Sequence, residues 1–180
     1  PNRAMERQRH HDAQEMLRRW VSHEEELPLV AVERQFAFPF EGGRMRGKID
    51  AIHRMGDGSL LIRDYKTGKS KPTQQEVAES LQLAAYYLAV SRDPELAELG
   101  TPSIVEYAFL FFDGDEGGFK RFSHRPGRNP AFEQETESRL VGYLDQVRSE
   151  RFAPNPAAVC RFCSFKPICP LWPQGQEVRA

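Results

Sequence analysis

Two acids and a lysine on what reads as one β-hairpin constrain this chain more than any other feature. The run Gly47-Lys48-Ile49-Asp50 lies in Met45–His53, a strand-compatible stretch. Met55-Gly56-Asp57-Gly58-Ser59 is rich in turn formers, and Leu60–Tyr65 is a second strand that exits through Lys66-Thr67-Gly68. The hairpin sets Asp50 on a strand neighbouring Asp64. Side chains of a strand alternate faces, so Asp64 and Lys66 project from one side and Tyr65 from the other. Two carboxylates, with the Tyr65 backbone carbonyl between Asp64 and Lys66, form an all-oxygen donor set that suits Mg2+ or Mn2+ rather than a soft metal. Two chemical roles are open to Lys66: stabilising negative charge on a phosphate, or orienting and helping to deprotonate an attacking water.

Downstream, Val77–Val90 reads as one helix, with Val77, Leu81, Ala84, Ala85 and Leu88 towards the core and Gln82 and Tyr86 on one side at i, i+4. Each element is common alone: an acid-Tyr-Lys-Thr-Gly run is usually a charged strand end with a solvated lysine. The order acid, then acid-x-Lys, then Gln-x3-Tyr is not common, and it is the pattern of a metal-dependent nuclease. Upstream, Val30–Phe38 alternates, with Val30, Val32, Phe36 and Phe38 on one face. Glu33 falls on the other face, which is either solvent or the cleft.

On these residues the chain resembles the PD-(D/E)XK nucleases, specifically the RecB-like exonuclease branch with a C-terminal iron-sulfur motif, as in AddB and the CRISPR-associated RecB-like exonucleases. The resemblance runs from about Val30 to Cys169. It implies an α/β, restriction-endonuclease-like fold: a mixed central β-sheet flanked by helices, the site at one sheet edge. It implies that Asp50 and Asp64 bind the catalytic metal, with Glu33 as a further candidate ligand, that Lys66 is catalytic, and that Gln82 and Tyr86 contact DNA or support the site. The implied activity is Mg2+- or Mn2+-dependent hydrolysis of DNA phosphodiesters in recombination, repair or DNA end processing, with DNA and a helicase domain or subunit as partners. Such nucleases usually add a metal-ligating histidine on an N-terminal helix, after a glycine. Here only His10 and His11 are available, without that glycine, and both read as exposed residues of a helix over Ala4–Val21 whose apolar stripe is Ala13, Met16, Leu17 and Trp20.

Cys160-x2-Cys163-x5-Cys169-Pro170 closes the chain. An odd count without a signal peptide argues against a disulfide framework, and the spacing is that of metal ligands. Zinc and iron-sulfur clusters both want a fourth ligand. The resemblance implies a 4Fe-4S cluster whose fourth cysteine lies far upstream. With Pro1 in place of a methionine, the chain reads as an N-terminally truncated fragment that lacks it. A zinc site completed by a histidine, or three reduced thiols, are the other readings. The expected division is a nuclease core over 1–153 with the N-terminal helix, and a cysteine segment over 154–180 packed on the same domain.

The remainder reads as scaffold. Ile104–Phe112 fits a buried strand, Asp113–Gly118 an acidic turn and Phe119–Phe122 its hairpin partner. Asn129-Pro130 forms an N-cap and first-turn pair for a helix over Ala131–Glu150. A net charge of −1 over 180 residues is no general signature of nucleic-acid affinity, so DNA contacts fall to local patches. Two loops qualify, one with Lys66, Lys69 and Lys71, the other with Lys120, Arg121, His124, Arg125 and Arg128. No apolar stretch is long enough to span a membrane, and the expected location is cytoplasmic. Two other classes stand beside the nuclease: a catalytically inactive DNA-binding or scaffolding module of a helicase–nuclease complex, and a metal-binding interaction domain built on the cysteines.

Overall fold

The computed structural model describes residues 3–23, 27–68, 71–110, 119–154, 160 and 163–173. Contacts divide the chain into two compact units, Pro1–Ser138 and Arg139–Ala180. The first holds a five-stranded sheet in the order β1 (Leu29–Phe40), β2 (Gly43–Arg54), β3 (Leu60–Lys66), β4 (Pro102–Leu110) and β5 (Phe119–His124). β3 and β4 are parallel and every other pair antiparallel, which makes the sheet mixed. Helix α1 (Arg3–His23) precedes the sheet; α2 (Gln74–Ala78), α3 (Leu81–Arg92) and α4 (Pro94–Ala97) form the β3-to-β4 crossover, and α5 (Phe132–Arg148) follows β5. This is the mixed α/β restriction-endonuclease-like architecture.

Turn chemistry fixes the first two hairpins. Glu41 and Gly42 both adopt positive φ (48° and 73°) between the paired Phe40 and Gly43, the left-handed pair that a two-residue hairpin turn demands. In the next turn Asp57 Oδ1 accepts from the Ser59 amide at 2.9 Å and from its hydroxyl at 2.6 Å, with Gly58 at φ 83°. The central strands are buried: Ile49, Ile52, Leu60, Ile62, Val105 and Ala108 are almost wholly removed from solvent, as a sheet covered on both faces requires. The centre also holds a charged pair. Arg63, fully buried, donates through Nε to Glu106 Oε1 at 2.7 Å, and Ser123 Oγ donates to Glu106 Oε2 at 2.8 Å, tying β3, β4 and β5 together.

Three sequence expectations are corrected. The helix expected over Val77–Val90 is two helices: α2 stops at Glu79, and Ser80 caps a new helix by accepting from the Leu83 amide at 3.2 Å. A serine side chain that satisfies an otherwise unpaired first-turn N–H competes successfully with helix continuation. On α1, Leu17 is 59% exposed and Ala13 is exposed, while Met16 and Trp20 are partly covered; the covered stripe is turned towards Asp12, Met16 and Trp20, and Trp20 meets Tyr65 edge-on at 5.8 Å. On β1, Phe36 and Phe38 are buried but Val32 is 61% exposed. Glu33 at φ 49° and a register irregularity between Leu29 and Ala31 break the simple alternation that placed Val32 with the phenylalanines. The expected turn Asp113–Gly118, the end of the strand at Phe112, Lys69 and Pro156 lie outside the described residues.

In the second unit, Cys160 and Cys163 are joined by a backbone hydrogen bond (Cys163 N to Cys160 O, 3.1 Å), and a single 3-10 turn spans Lys166–Ile168. No described helix is long and apolar enough to cross a membrane.

Candidate active site

β3 carries the site because its last residues run past the end of the β2 pairing. The β2–β3 ladder ends at Ala51 opposite Arg63; extended by one residue, the same register sets Asp50 across from Asp64. There the Tyr65 amide donates to Asp50 Oδ2 at 3.0 Å, a side chain taking the place of a strand partner. Asp64 is buried, and α3 reaches it from the crossover. Gln82 Nε2 donates to Asp64 Oδ1 at 2.8 Å, Tyr86 Oη donates to the same oxygen at 3.4 Å, and Gln82 Nε2 also lies 2.9 Å from Tyr86 Oη. The break before Ser80 places Gln82 in the first turn of a fresh helix, from which its side chain reaches Asp64.

Lys66 completes the group. Its Nζ is 2.7 Å from Asp64 Oδ2 and donates to Gln82 Oε1 at 2.9 Å, with the Tyr107 ring centroid 4.9 Å away. Tyr107 is a residue the sequence reading missed. It pairs with Asp64 in the β3–β4 register, its hydroxyl lies 2.6 Å from Ser80 Oγ and donates to Gln82 Oε1 at 3.3 Å, and so it links the lysine, the glutamine and the helix cap. Its signal was faint: a hydroxyl-bearing aromatic in an otherwise apolar strand. Tyr65 turns away from this group to Trp20 of α1.

Burial raises the Asp64 pKa; the hydrogen-bonding contact and charge of Lys66 pull it back, and Asp50 pushes it up again. The Tyr86 hydroxyl is pushed up to about 12, chiefly by burial, so it stays a neutral donor to Asp64 at any working pH. Asp64 Oδ2 is buried and accepts no well-aligned hydrogen bond, although Lys66 Nζ is in ion-pair contact. An ionised oxygen without an aligned donor, beside a second carboxylate, fits a hard cation. Among the described residues no three His, Cys, Asp or Glu side chains converge as a metal cluster, so a cation here would take Asp50, Asp64 and non-side-chain oxygens.

Other candidates share no hydrogen bond or ion pair with this group among the described residues. Glu33 is exposed and ion-paired with Lys48. His10 and His11 are exposed on α1, where His10 Nε2 lies 3.0 Å from Gln14 Nε2. Cys160, Cys163 and Cys169 are free thiols that line one cavity of about 520 Å3 with Phe152, Phe165 and Trp172.

Comparison with known proteins gives a consistent picture. The family description "PD-(D/E)XK nuclease superfamily" matches residues 1–170. The Gene 69 protein of Mycobacterium phage L5 is 29% identical over 152 residues, covering 82% of this chain and 47% of that protein. The Gene 69 protein of Mycobacterium phage D29 is 26% identical over 147 residues, covering 79% and 48%. The chain therefore spans about half the length of these curated relatives. The crystal structure of SSO0001 superposes with a TM-score of 0.50 at 16% identity, covering 78% of this chain and 59% of that one, which is a likeness of fold.

Proposed function

The chain belongs to the PD-(D/E)XK nuclease superfamily, and from that premise we propose that it is a metal-dependent deoxyribonuclease of the RecB-like exonuclease kind, acting in recombination, repair or DNA end processing. The observation that carries the reading is the convergence of Asp50, Asp64, Lys66, Gln82 and Tyr86 at the open end of β3. Mg2+ or Mn2+ would be held by Asp50, Asp64 and the Tyr65 carbonyl. Bound there, the ion supplies Lewis-acid polarisation of the phosphate and an acidified water. Gln82 and Tyr86 fix Asp64 by donating to Oδ1, so that a cation would take Oδ2, the oxygen in contact with the Lys66 ammonium. Lys66 holds a positive charge beside that oxygen, where it opposes the negative charge that develops on a phosphate under attack. Glu33, which the β1–β2 register sets across from Asp50 and which pairs with Lys48, would be a further ligand.

The proposal extends to the cysteines. Cys160, Cys163 and Cys169 would bind a 4Fe-4S cluster together with a fourth ligand, the common cavity and the Cys160–Cys163 backbone link being its support. The segment 154–180 would then be the C-terminal metal-binding segment of the domain whose nuclease core is 1–153, in a protein that works with a helicase domain or subunit in the cytoplasm.

The test is cleavage of end-labelled single- and double-stranded DNA in Mg2+ and in Mn2+, with Lys66→Ala in parallel. Cleavage that falls by at least about 10²–10³-fold in the variant supports the assignment. Cleavage that survives Lys66→Ala sinks it. DNA binding without cleavage by the unaltered protein would instead favour the inactive DNA-binding module.

A further inference from the structure

β2 carries a row of cations that leads to Asp50. Arg44, Arg46 and Lys48 alternate along an uninterrupted register and are all exposed, so they share one face of the β1–β2 hairpin. The opposite face is the packed one. Phe36 and Phe38 are buried there, and a Cβ on Gly47 would come within 2.5 Å of the Phe36 ring, which fixes that ring over the glycine. The cross-strand partners of the three cations are Pro39, Ala37 and Gln35, none of them acidic. Arg44 and Arg46 therefore receive no compensation from the residues directly opposite them, whereas Lys48 is met by Glu33 on the neighbouring strand.

The surrounding acids are already engaged. Glu95 is ion-paired with Arg34. Asp93 accepts from the Ala37 amide at 2.9 Å and from the Glu95 and Leu96 amides at 3.0 and 3.2 Å. Both acids share a cavity of about 590 Å3 with Arg44 and Arg46, yet neither arginine makes an ion pair among the described residues. Lys48 is paired with Glu33. It stands two residues before Asp50 on the same face of β2, so the row ends at the acids.

We propose that Arg44, Arg46 and Lys48 form a phosphate track that holds the backbone of one nucleic-acid strand and delivers it to Asp50 and Asp64. Alternate strand residues are about 6.8 Å apart, comparable with the spacing of successive phosphates along one strand. Between the cations the track offers Gln35, Ala37 and Pro39, with no aromatic on which a base could stack, so it grips backbone rather than sequence. Arg44 and Arg46 carry most of the grip, because Glu33 already neutralises part of Lys48. The track gives the nuclease reading a place for its substrate and rests on that reading for its direction.

The test is a salt titration of binding by the intact chain, in EDTA so that nothing is cut, with fluorescent single-stranded and duplex oligonucleotides as probes. Each phosphate contact contributes about 0.7–0.9 to the slope of log K against log salt. The double variant Arg44→Gln/Arg46→Gln should lower the slope by about 1.4–1.8 and weaken low-salt binding at least about tenfold. Lys48→Gln should lower it by less. An unchanged slope in a double variant that melts like the parent overturns the track, as does failure of the unaltered protein to bind either probe at low salt. The two readings separate cleanly. Cleavage with an unchanged slope removes the track alone, whereas a lowered slope in a protein that never cleaves supports the track and removes the nuclease.

Discussion

The end of β3 and the cysteine segment both bring chemically capable side chains together, by opposite means. At β3, position comes from ladders: the register with β2 and β4 fixes where Asp50, Asp64 and Tyr107 stand, and a capped helix supplies Gln82 and Tyr86. Around the cysteines the described residues hold a 3-10 turn over Lys166–Ile168 and a few local backbone bonds, and Phe152 and Phe165, which line the cavity, are 73% and 69% exposed. The first region is preorganised by its own fold. On the proposed reading, the second would gain its order from the metal it binds.

The sharpest way to break that contrast is to compare stability. Arg63→Ala would leave the Glu106 carboxylate buried without its partner, at a cost of about 3–5 kcal/mol and a large fall in Tm. Serine at Cys160, Cys163 and Cys169 together should leave the main unfolding transition where it is. Differential scanning calorimetry of both proteins decides. A comparable fall in the cysteine variant would show that the thiols hold structure in their own right, and the contrast would be gone.

How far each region could be read from the chain follows from the same contrast. Strand-compatible runs and the turn formers between them made β2, β3 and their acids legible, because the short turn sets which residues of the two strands face each other. The pairing of Gln82 with Tyr86 was legible as helical spacing. The cap at Ser80 was not, because its hydroxyl is decided partly by Tyr107, which lies 27 positions further along the chain. Arg63 was invisible for the same reason: a charged residue in a strand announces solvent until Glu106 and Ser123 are seen beside it. Glu33 looked like a strand residue and takes a left-handed φ of 49°, a tertiary choice no local pattern encodes. For the cysteines, spacing named the chemistry and nothing named the geometry.

Asp64 gives a second comparison, between the metal-free site and the fold around it. Burial raises its folded pKa above the unfolded value of 3.8. Between those two values the native chain keeps a proton that the unfolded chain has released, so stability falls as pH rises through the window. Above it the ionised carboxylate is a standing cost. Asp64→Asn should therefore raise the Tm of the metal-free protein by a few degrees at neutral pH, and the gain should vanish below the window. Thermal melts of both proteins in EDTA across pH measure it, and an asparagine variant that is less stable at neutral pH would refute the sign. In the metal-free site the same shift lets protons compete with an incoming cation for Asp64 at higher pH than at an ordinary aspartate.

The smallest expected effect asks how finely the β3 site is built. Tyr107→Phe keeps the ring beside the Lys66 ammonium and removes the hydroxyl that contacts Ser80 and Gln82. A neutral hydrogen bond is worth about 0.5–1.5 kcal/mol, so cleavage should slow by no more than about tenfold. Tyr107→Leu removes the ring as well, and a cation–π contact adds about 0.5–2 kcal/mol, so leucine should be slower than phenylalanine by a further factor of about 2–30. Single-turnover rates at saturating metal separate the two. If phenylalanine and leucine were equally slow, the ring would contribute nothing and the hydroxyl bridge to α3 would be the whole of Tyr107's part. If phenylalanine matched the parent while leucine fell, the aromatic face would be the whole of Tyr107's part.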